Sequence, residues 1–497
     1  MRVKSTLDFD PGTVAPLAGH WIGGRLVGGD RPAIEIRRPS DGQLQGGIPE
    51  AGQAEVDAAV AAAKQAQPGW SALAPRRRAA ILSQWADLVV RDAETIAREE
   101  SLASARLIAE TRTVDAPAAA EWIRFYAEYA DKVDGAVTPT APDALSLVVQ
   151  EPYGVVAAIV PWNFPLVLAI WKIAPAIAAG NCVVVKPSEL TPYSIVRVVA
   201  LATEAGMPPG VINVVHGRGA STGRLLVRHP DVGYVTFTGS TTTGVQIMTD
   251  AAQSGIKPVS LELGGKNPQL VFRDHGDLDL VADSIAWGIT RNAGQLCYAG
   301  TRLVVDRRVE APLLEKIMQR MRLLRPGPTW NAAATLAPII SRAQLDRMQR
   351  LVDTTVQEGA EVVLGGHGFE GESGGAFFEP TVLRQLRPDM TGFTTEIFGP
   401  VLGVQVFDDD EEGIALAGHP VYGLAGSIYT RDLNKAIRAA RRLQAGTVWV
   451  NTWGRKSADM TSPFGGFKQS GFGREAGRAG FERFLRSKSI WIDLAAP

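Results

Sequence analysis

Short apolar runs recur at 155–160, 183–185, 211–215 and 234–237, and helix-like segments such as 194–205 separate them. This alternation predicts βαβ units and a parallel sheet, because strands covered by helices on both faces read as continuously apolar. Such a sheet binds ligands beyond the C-terminal ends of its strands. A second α/β block follows Gly264, with strands predicted at 303–305, 361–364 and 447–450. Upstream, Val56, Ala59, Val60 and Ala63 fall on one helical face, and Ile81, Trp85, Leu88 and Val89 on another helix after Pro75. Its opening Arg76-Arg-Arg78 reads as a solvated first turn. Gly135, Pro139 and Pro142 then punctuate the chain before Leu145-Ser-Leu-Val-Val-Gln150, a strand in an extended excursion. The last predicted strand, Ser489-Ile-Trp-Ile-Asp-Leu494, carries bulky apolar residues that need another sheet to cover them. A partner subunit is one such cover.

Composition narrows the function classes. A chain of 497 residues exceeds what one hydrophobic core supports, so two or three structural units are expected. With 51 basic and 52 acidic residues the net charge is −1, which gives no nucleic-acid footprint. The longest apolar stretch, at 166–180, is broken by Lys172 and Pro175, and Met1-Arg-Val-Lys lacks an apolar leader, so a soluble cytoplasmic protein without membrane partners is expected. Cys182 and Cys297 cannot build a disulfide framework, and the six histidines show no ligand spacing with them, so no metal is expected. Cys182 reads as core packing.

Cys297 is different. It stands in Asn292-Ala-Gly-Gln-Leu-Cys297, where a tight turn presents a thiol just before an apolar strand. Upstream, Glu262-Leu-Gly-Gly265 offers a carboxylate beside two glycines where backbone can approach a ligand. A thiol and a candidate base are both supplied. The plainer readings are a buried cysteine and a strand-end glutamate paired with Lys266 or Lys257.

At these residues the chain resembles the aldehyde dehydrogenase superfamily, from about Val56 to Trp491. The motifs that carry the resemblance are Pro161-Trp-Asn-Phe-Pro165, Lys186-Pro-Ser-Glu189, Phe237-Thr-Gly-Ser240, Glu262-Leu-Gly-Gly265, Gly294-Gln-Leu-Cys297, Glu396-Ile-Phe-Gly-Pro400 and Pro463-Phe-Gly-Gly466. The resemblance implies an α/β fold with a Rossmann-like coenzyme domain (1–132 and 152–262), an α/β catalytic domain (263–470) and a small β oligomerisation arm (133–151 and 471–497). It implies NAD as coenzyme, with NADP also open, an aldehyde as substrate, and a homo-oligomer, dimer or tetramer.

Residue by residue, the resemblance makes Cys297 the nucleophile and Glu262 the general base for thioester hydrolysis. The Asn163 amide and the Cys297 N–H become the oxyanion donors. Lys172 matches a lysine near the catalytic water; a structural ion pair is its other reading. Trp162, Lys186, Glu189, Gly239, Ser240, Glu396 and Phe398 fall at coenzyme positions. The presence of Glu262 favours hydrolysis over acyl transfer to coenzyme A. Phe164, Leu168, Trp171, Leu296, Tyr298, Trp453 and Phe464 should line an aromatic aldehyde tunnel, with Arg455 and Lys456 near its mouth. The segment from Ala458 resembles γ-glutamyl-γ-aminobutyraldehyde dehydrogenases, and there Asp459 could meet an ammonium group. Thr242 stands where relatives carry glutamate. Two other readings compete with an aldehyde dehydrogenase: a cysteine hydrolase, which lacks a histidine in these segments, and a catalytically silent structural or binding protein that keeps the fold.

Overall fold

The structure, a computed structural model, describes residues 8–29, 34–454 and 459–495. Five parallel strands form the heart of the first sheet: Val155–Ile159, Cys182–Lys186, Ile212–Val214, Tyr234–Thr238 and Val259–Glu262. They lie in the spatial order third, second, first, fourth, fifth, so the strand order reverses between Val155–Ile159 and Tyr234–Thr238. A crevice is expected outside the carboxyl ends of those two strands. Two antiparallel additions close the edges. The hairpin His20–Ile22 and Arg25–Val27 covers one side, and Gly471–Phe472, from far along the chain, pairs with Leu261 and Glu262 on the other.

The apolar faces predicted upstream are buried in the same core: Val56, Ala59, Val60 and Ala63 on helix Gln53–Ala72, which packs on the sheet, and Ile81, Trp85 and Val89 on helix Pro75–Arg91, which packs on neighbouring helices. Cys182 lies fully buried in the same core. The arginine run divides. Arg76 and Arg77 are exposed, but Arg78 is buried and donates to the carbonyls of Leu73 (2.6 Å), Ser71 (3.2 Å) and Ala178 (3.3 Å). Sequence adjacency to two solvated arginines hides this, because the helix turns the third side chain inward.

A second, seven-stranded sheet carries Pro268–Val271, Arg302–Asp306, Val401–Phe407, Thr381–Arg384, Ala425–Tyr429 and Thr447–Val450 in parallel, with Glu361–Leu364 antiparallel at one edge. A separate three-stranded antiparallel sheet joins Ala136–Thr138, Ala144–Pro152 and Leu485–Asp493. Val137, Trp491, Ile492 and Leu494 are exposed on or beside it. Among the described residues no helix is long and apolar enough to cross a membrane.

Candidate active site

After helix Leu278–Thr290 the chain turns through Asn292 (φ 48°), Ala293 (φ 50°) and Gly294 (φ 70°), three successive left-handed residues. Side-chain residues resist this conformation, so the surroundings must hold it. They do so with amides. Asn292 Nδ2 donates to the carbonyls of Asn163 (3.1 Å) and Gln295 (3.4 Å), while Gln295 Nε2 donates to those of Asn292 and Pro338 (both 3.0 Å). Gln295 Oε1 accepts from the Ile340 N–H at 3.0 Å. A side chain at Gly294 would collide with the Gly399 carbonyl, so only glycine fits there. Downstream, Asn267 Nδ2 donates to the carbonyls of Cys297 and Ala299 (both 2.9 Å), and its Oδ1 accepts from the Ala425 N–H at 3.0 Å. The backbone on both sides of Cys297 is thereby fixed. Burial and the facing carboxylates of Glu396, Glu262 and Glu475 push its thiol above the ordinary range.

Cys297 opens into a cavity of about 380 Å³ at the point where the strand order reverses. Pro161, Trp162 and Asn163 reach it from the end of Val155–Ile159, and Thr238, Gly239 and Ser240 from the end of the neighbouring strand. Asn163 Nδ2 donates to the Gln295 carbonyl at 3.1 Å, which ties this wall to the nucleophile turn. Ser240 caps helix Thr241–Gln253, its Oγ accepting from the Thr243 N–H at 3.2 Å, and Thr242 in the first turn also lines the cavity. Glu396 and Phe398 form the opposite wall. Glu396 accepts from the Gly265 N–H at 3.0 Å, and burial raises its carboxyl to about 7. Phe398 is left-handed (φ 62°) and stands edge-on to Trp162 with ring centres 5.3 Å apart.

Lys186 and Glu189 lie apart from these lining residues, at the end of the adjacent strand. Lys186 is buried, and its Nζ lies 3.3 Å from Glu189 Oε2. Burial lowers the lysine, with Glu189 opposing that shift.

Glu262 ends the fifth strand and directly precedes Leu263 and Gly264, which line the cavity. It is paired with neither lysine considered for it. Lys266 Nζ donates to the Thr395 carbonyl (3.1 Å), and Lys257 Nζ to the carbonyls of Val227 and His229 (both 2.7 Å). Both Glu262 oxygens are buried without a hydrogen-bond partner. Burial, reinforced by the neighbouring Glu475, raises its carboxyl well above the usual range. Lys172 is fully buried, pairs with Glu475 and donates to Thr238 Oγ1 at 2.8 Å. Its ion-pair reading is thus borne out, and the pair lies in the cluster that faces Glu262.

Glu475 and its second partner, Arg483, escaped the sequence reading. For Glu475 the one signal was position, a charge set among small residues in Gly473-Arg-Glu-Ala-Gly477, where a solvated residue is the ordinary expectation; Arg483, between Glu482 and Phe484, carried none.

Most of the aromatic set expected around the aldehyde does assemble. Tyr298 stacks on Trp453 (5.2 Å) and meets Phe464 (5.7 Å), which in turn contacts Trp171 (6.0 Å). Leu168 and Leu296 belong to the cluster that contains Trp453 and contacts Tyr298. Phe164 joins the same cluster as Leu296 and Trp453. It is buried under the Arg106 guanidinium, 4.1 Å from its ring centre, and Arg106 is itself held by Asp115 at 2.8 and 2.9 Å. The cation over the ring helps hold Phe164 in place. Asp459 borders a groove of about 270 Å³ with Trp449 and Pro463, and accepts from the hydroxyls of Ser462 (2.6 Å) and Thr461 (2.8 Å). Arg455, Lys456 and Ala458 lie outside the described residues.

Residues 27–490 match the model of the aldehyde dehydrogenase family. The chain is 42% identical over 446 residues to the NADP/NAD-dependent aldehyde dehydrogenase PuuC of Escherichia coli K12, covering 89% of this chain and 88% of that protein. Among solved structures, indole-3-acetaldehyde dehydrogenase AldA of P. syringae, in complex with NAD+ and IAA, superposes with a TM-score of 0.95 at 39% identity, over 97% of this chain and 98% of that one. The γ-glutamyl-γ-aminobutyraldehyde dehydrogenase of Burkholderia cenocepacia J2315 does so with 0.94 at 41% identity, over the same shares, 97% and 98%. With its parallel sheet reversing beside a cavity that holds a cysteine, and with likeness running along nearly its whole length, the chain belongs to the aldehyde dehydrogenase family and is an NAD(P)-dependent aldehyde dehydrogenase.

Proposed function

We propose that the chain converts its aldehyde to a carboxylic acid through a covalent adduct on Cys297, hydrolysed with Glu262 as base. The observation that carries this reading is the shared cavity: thiol, Asn163 amide and the opening of helix Thr241–Gln253 all border it, and Glu262 ends the strand that leads into it.

The residues suit a dinucleotide. Backbone N–H groups at the start of a 13-residue helix can receive a pyrophosphate, and the Glu396 carboxylate can accept from ribose hydroxyls across the cavity. Lys186 and Glu189 stand at the neighbouring strand end for the adenosine ribose. The oxidised nicotinamide ring, when bound, supplies a positive charge and accepts hydride.

Within that frame the chain's own residues divide the work. Cys297 loses its proton and its sulfur adds to the aldehyde carbon, giving a thiohemiacetal whose oxyanion accepts from Asn163 Nδ2–H and the Cys297 N–H. Departure of hydride leaves a thioester. Glu262, whose buried carboxylate has a raised proton affinity, takes a proton from water as the water oxygen bonds to the acyl carbon. The C–S bond then breaks, and the acid leaves. An assay for NADH formation with an aldehyde, run on wild type and Cys297→Ala, tests the reading; equal rates of NADH formation would overturn it.

For the substrate we infer a medium-sized aliphatic, amino or aromatic aldehyde ahead of a small dicarboxylic semialdehyde. Support comes from the Trp171, Tyr298, Trp453 and Phe464 rings, from Asp459 on the nearby groove, and from relatives named for indole-3-acetaldehyde and γ-glutamyl-γ-aminobutyraldehyde. A kinetic panel that ranked succinic semialdehyde first would refute it. NAD is inferred to be preferred over NADP, because Glu189 repels a 2′-phosphate, though Lys186 beside it tempers the preference. The exposed Val137, Trp491, Ile492 and Leu494 support a homo-oligomer, read out by mass in solution. We further infer the division into coenzyme, catalytic and arm units given above, and a reducing, cytoplasmic setting, consistent with two free cysteines.

A further inference from the structure

Behind the nucleophile, four ionisable side chains from separate segments share one buried cluster. Lys172 comes from helix Pro165–Ala178, Glu262 from the end of its strand, Glu475 from the loop after Gly471–Phe472, and Arg483 from just beyond helix Gly477–Glu482. Arg474 and Cys297 also face Glu262, while Tyr126 and Tyr234 face Arg483.

The partners within this cluster are unequal. Lys172 is engaged by Glu475 and Thr238, so its charge is matched by a carboxylate other than Glu262. Arg483 donates from Nη2 to Glu475 Oε1 (3.2 Å) and from Nη1 to Ser260 Oγ (2.9 Å), two residues before Glu262 on the same strand. Its Nε is buried with no acceptor, and the oxygens of Glu262 are buried with no donor. Charge counting then separates two cases. With Lys172 and Glu475 neutralising each other, ionised Glu262 beside a neutral residue 483 keeps only Arg474 as countercharge, a partly exposed side chain turned to the carbonyls of Gly466 and Gly473. With Arg483 present, the four-residue cluster itself supplies the buried countercharge and sums to zero. An isolated buried carboxylate is so costly that it stays protonated, and a protonated carboxyl cannot accept a proton.

We propose that Arg483 is a positioning residue that supplies the countercharge on which Glu262 depends to ionise, and so sets when the base can act in thioester hydrolysis. This rests on the reading of Glu262 as the base. Water adds to the acyl carbon, its proton passes to Glu262, and the Cys297–acyl bond breaks to return the sulfur; Arg483 touches none of these atoms and acts through the carboxylate. Formation of the adduct and loss of hydride precede this step and are unaffected.

The test measures the pre-steady-state NADH burst and the steady-state kcat across the neutral pH range for wild type, Arg483→Gln, Arg483→Lys and Glu262→Gln. The acyl adduct on Cys297 is followed separately by intact-mass spectrometry. Removing the cation disfavours the ionised carboxylate, so the acid limb of kcat should move to higher pH by about one unit, with a rate about tenfold lower on that limb. The burst should keep its amplitude, and acylated enzyme should accumulate. Arg483→Lys retains the charge and should hold the limb close to wild type.

A kcat in Arg483→Gln lowered equally at every pH, an unmoved limb, or a lost burst in folded protein would overturn the proposal. So would a limb displaced in Arg483→Lys as far as in Arg483→Gln, and this arm stands even if the glutamine variant fails to fold. Failure of the underlying reading looks different: Glu262→Gln would then turn over at the wild-type steady-state rate, whatever Arg483 does.

Discussion

The nucleophile turn and the base strand solve opposite problems a few residues apart in space. Around Cys297 the amide nitrogens of Asn163, Asn267, Asn292 and Gln295 all donate to carbonyls of the turn. Glu262 is buried, yet its carboxylate is left without a donor. A sulfur that must meet a carbon at one distance gains from being fixed, since an error of an ångström is costly. A carboxylate that must gain and lose a proton gains from being unpaired, since hydrogen bonds to its charged form would lower its proton affinity. Rigidity and frustration are therefore assigned to different side chains of one site.

The sharpest way to break this comparison is to remove the sulfur. Cys297→Ala should lose at least about 10⁴-fold in kcat while still binding coenzyme, as read by tryptophan fluorescence quenching. Glu262→Gln should keep the NADH burst and lose about 10²- to 10³-fold in steady-state rate, measured by stopped flow. Because the base works only when ionised and its carboxyl is raised, wild-type kcat should fall as pH drops, from higher pH than an ordinary carboxylate would allow. A flat profile through mildly acidic pH would contradict that assignment.

Loosening the turn should act in the other direction, on chemistry before hydrolysis. Asn267→Ala removes two donors to the turn and should slow the burst itself by about 10- to 100-fold, with a lowered Tm by calorimetry. If only the steady state slowed, the division between fixed thiol and free base would be wrong. Smaller again is the coenzyme effect: Glu189→Gln should raise the NADP to NAD ratio of kcat/KM by about tenfold, since one repelled charge is worth about 1.4 kcal/mol at that ratio. The least is expected of Asp459→Asn, about a threefold rise in KM for amino-aldehydes with neutral ones spared, because exposed charge pairs contribute little.

How far the sequence could be read follows the same division. Local patterns gave four strands of the first sheet and three of the second, since apolar runs and helical spacing are set within a few residues, and left out such strands as Val401–Phe407 and Ala425–Tyr429. Motifs brought Cys297, Asn163, Gly239, Ser240, Glu396 and Phe398 to what is indeed one cavity. What stayed hidden depends on contacts across the chain. Nothing near Glu475 or Arg483 in sequence announces that they will be buried against Lys172 and Ser260. Nor does the sequence show that Arg106, distant along the chain, is laid over the Phe164 ring. At Asn292 and Gly294 the tight turn is legible, but the left-handed Ala293 between them is held by neighbours from Asn163 to Pro338.

The late strand Gly471–Phe472 has a consequence for how the molecule comes into being. Ser260 and Arg483 are 223 residues apart, and Leu261 finds its edge partner only at Phe472. On the ribosome, the coenzyme sheet must therefore wait, with the strand that bears Glu262 open along one side, until nearly the whole catalytic sheet has been synthesised. An unpaired edge of this kind invites mispairing with other nascent chains. Catalytic competence is thus among the last properties this protein acquires.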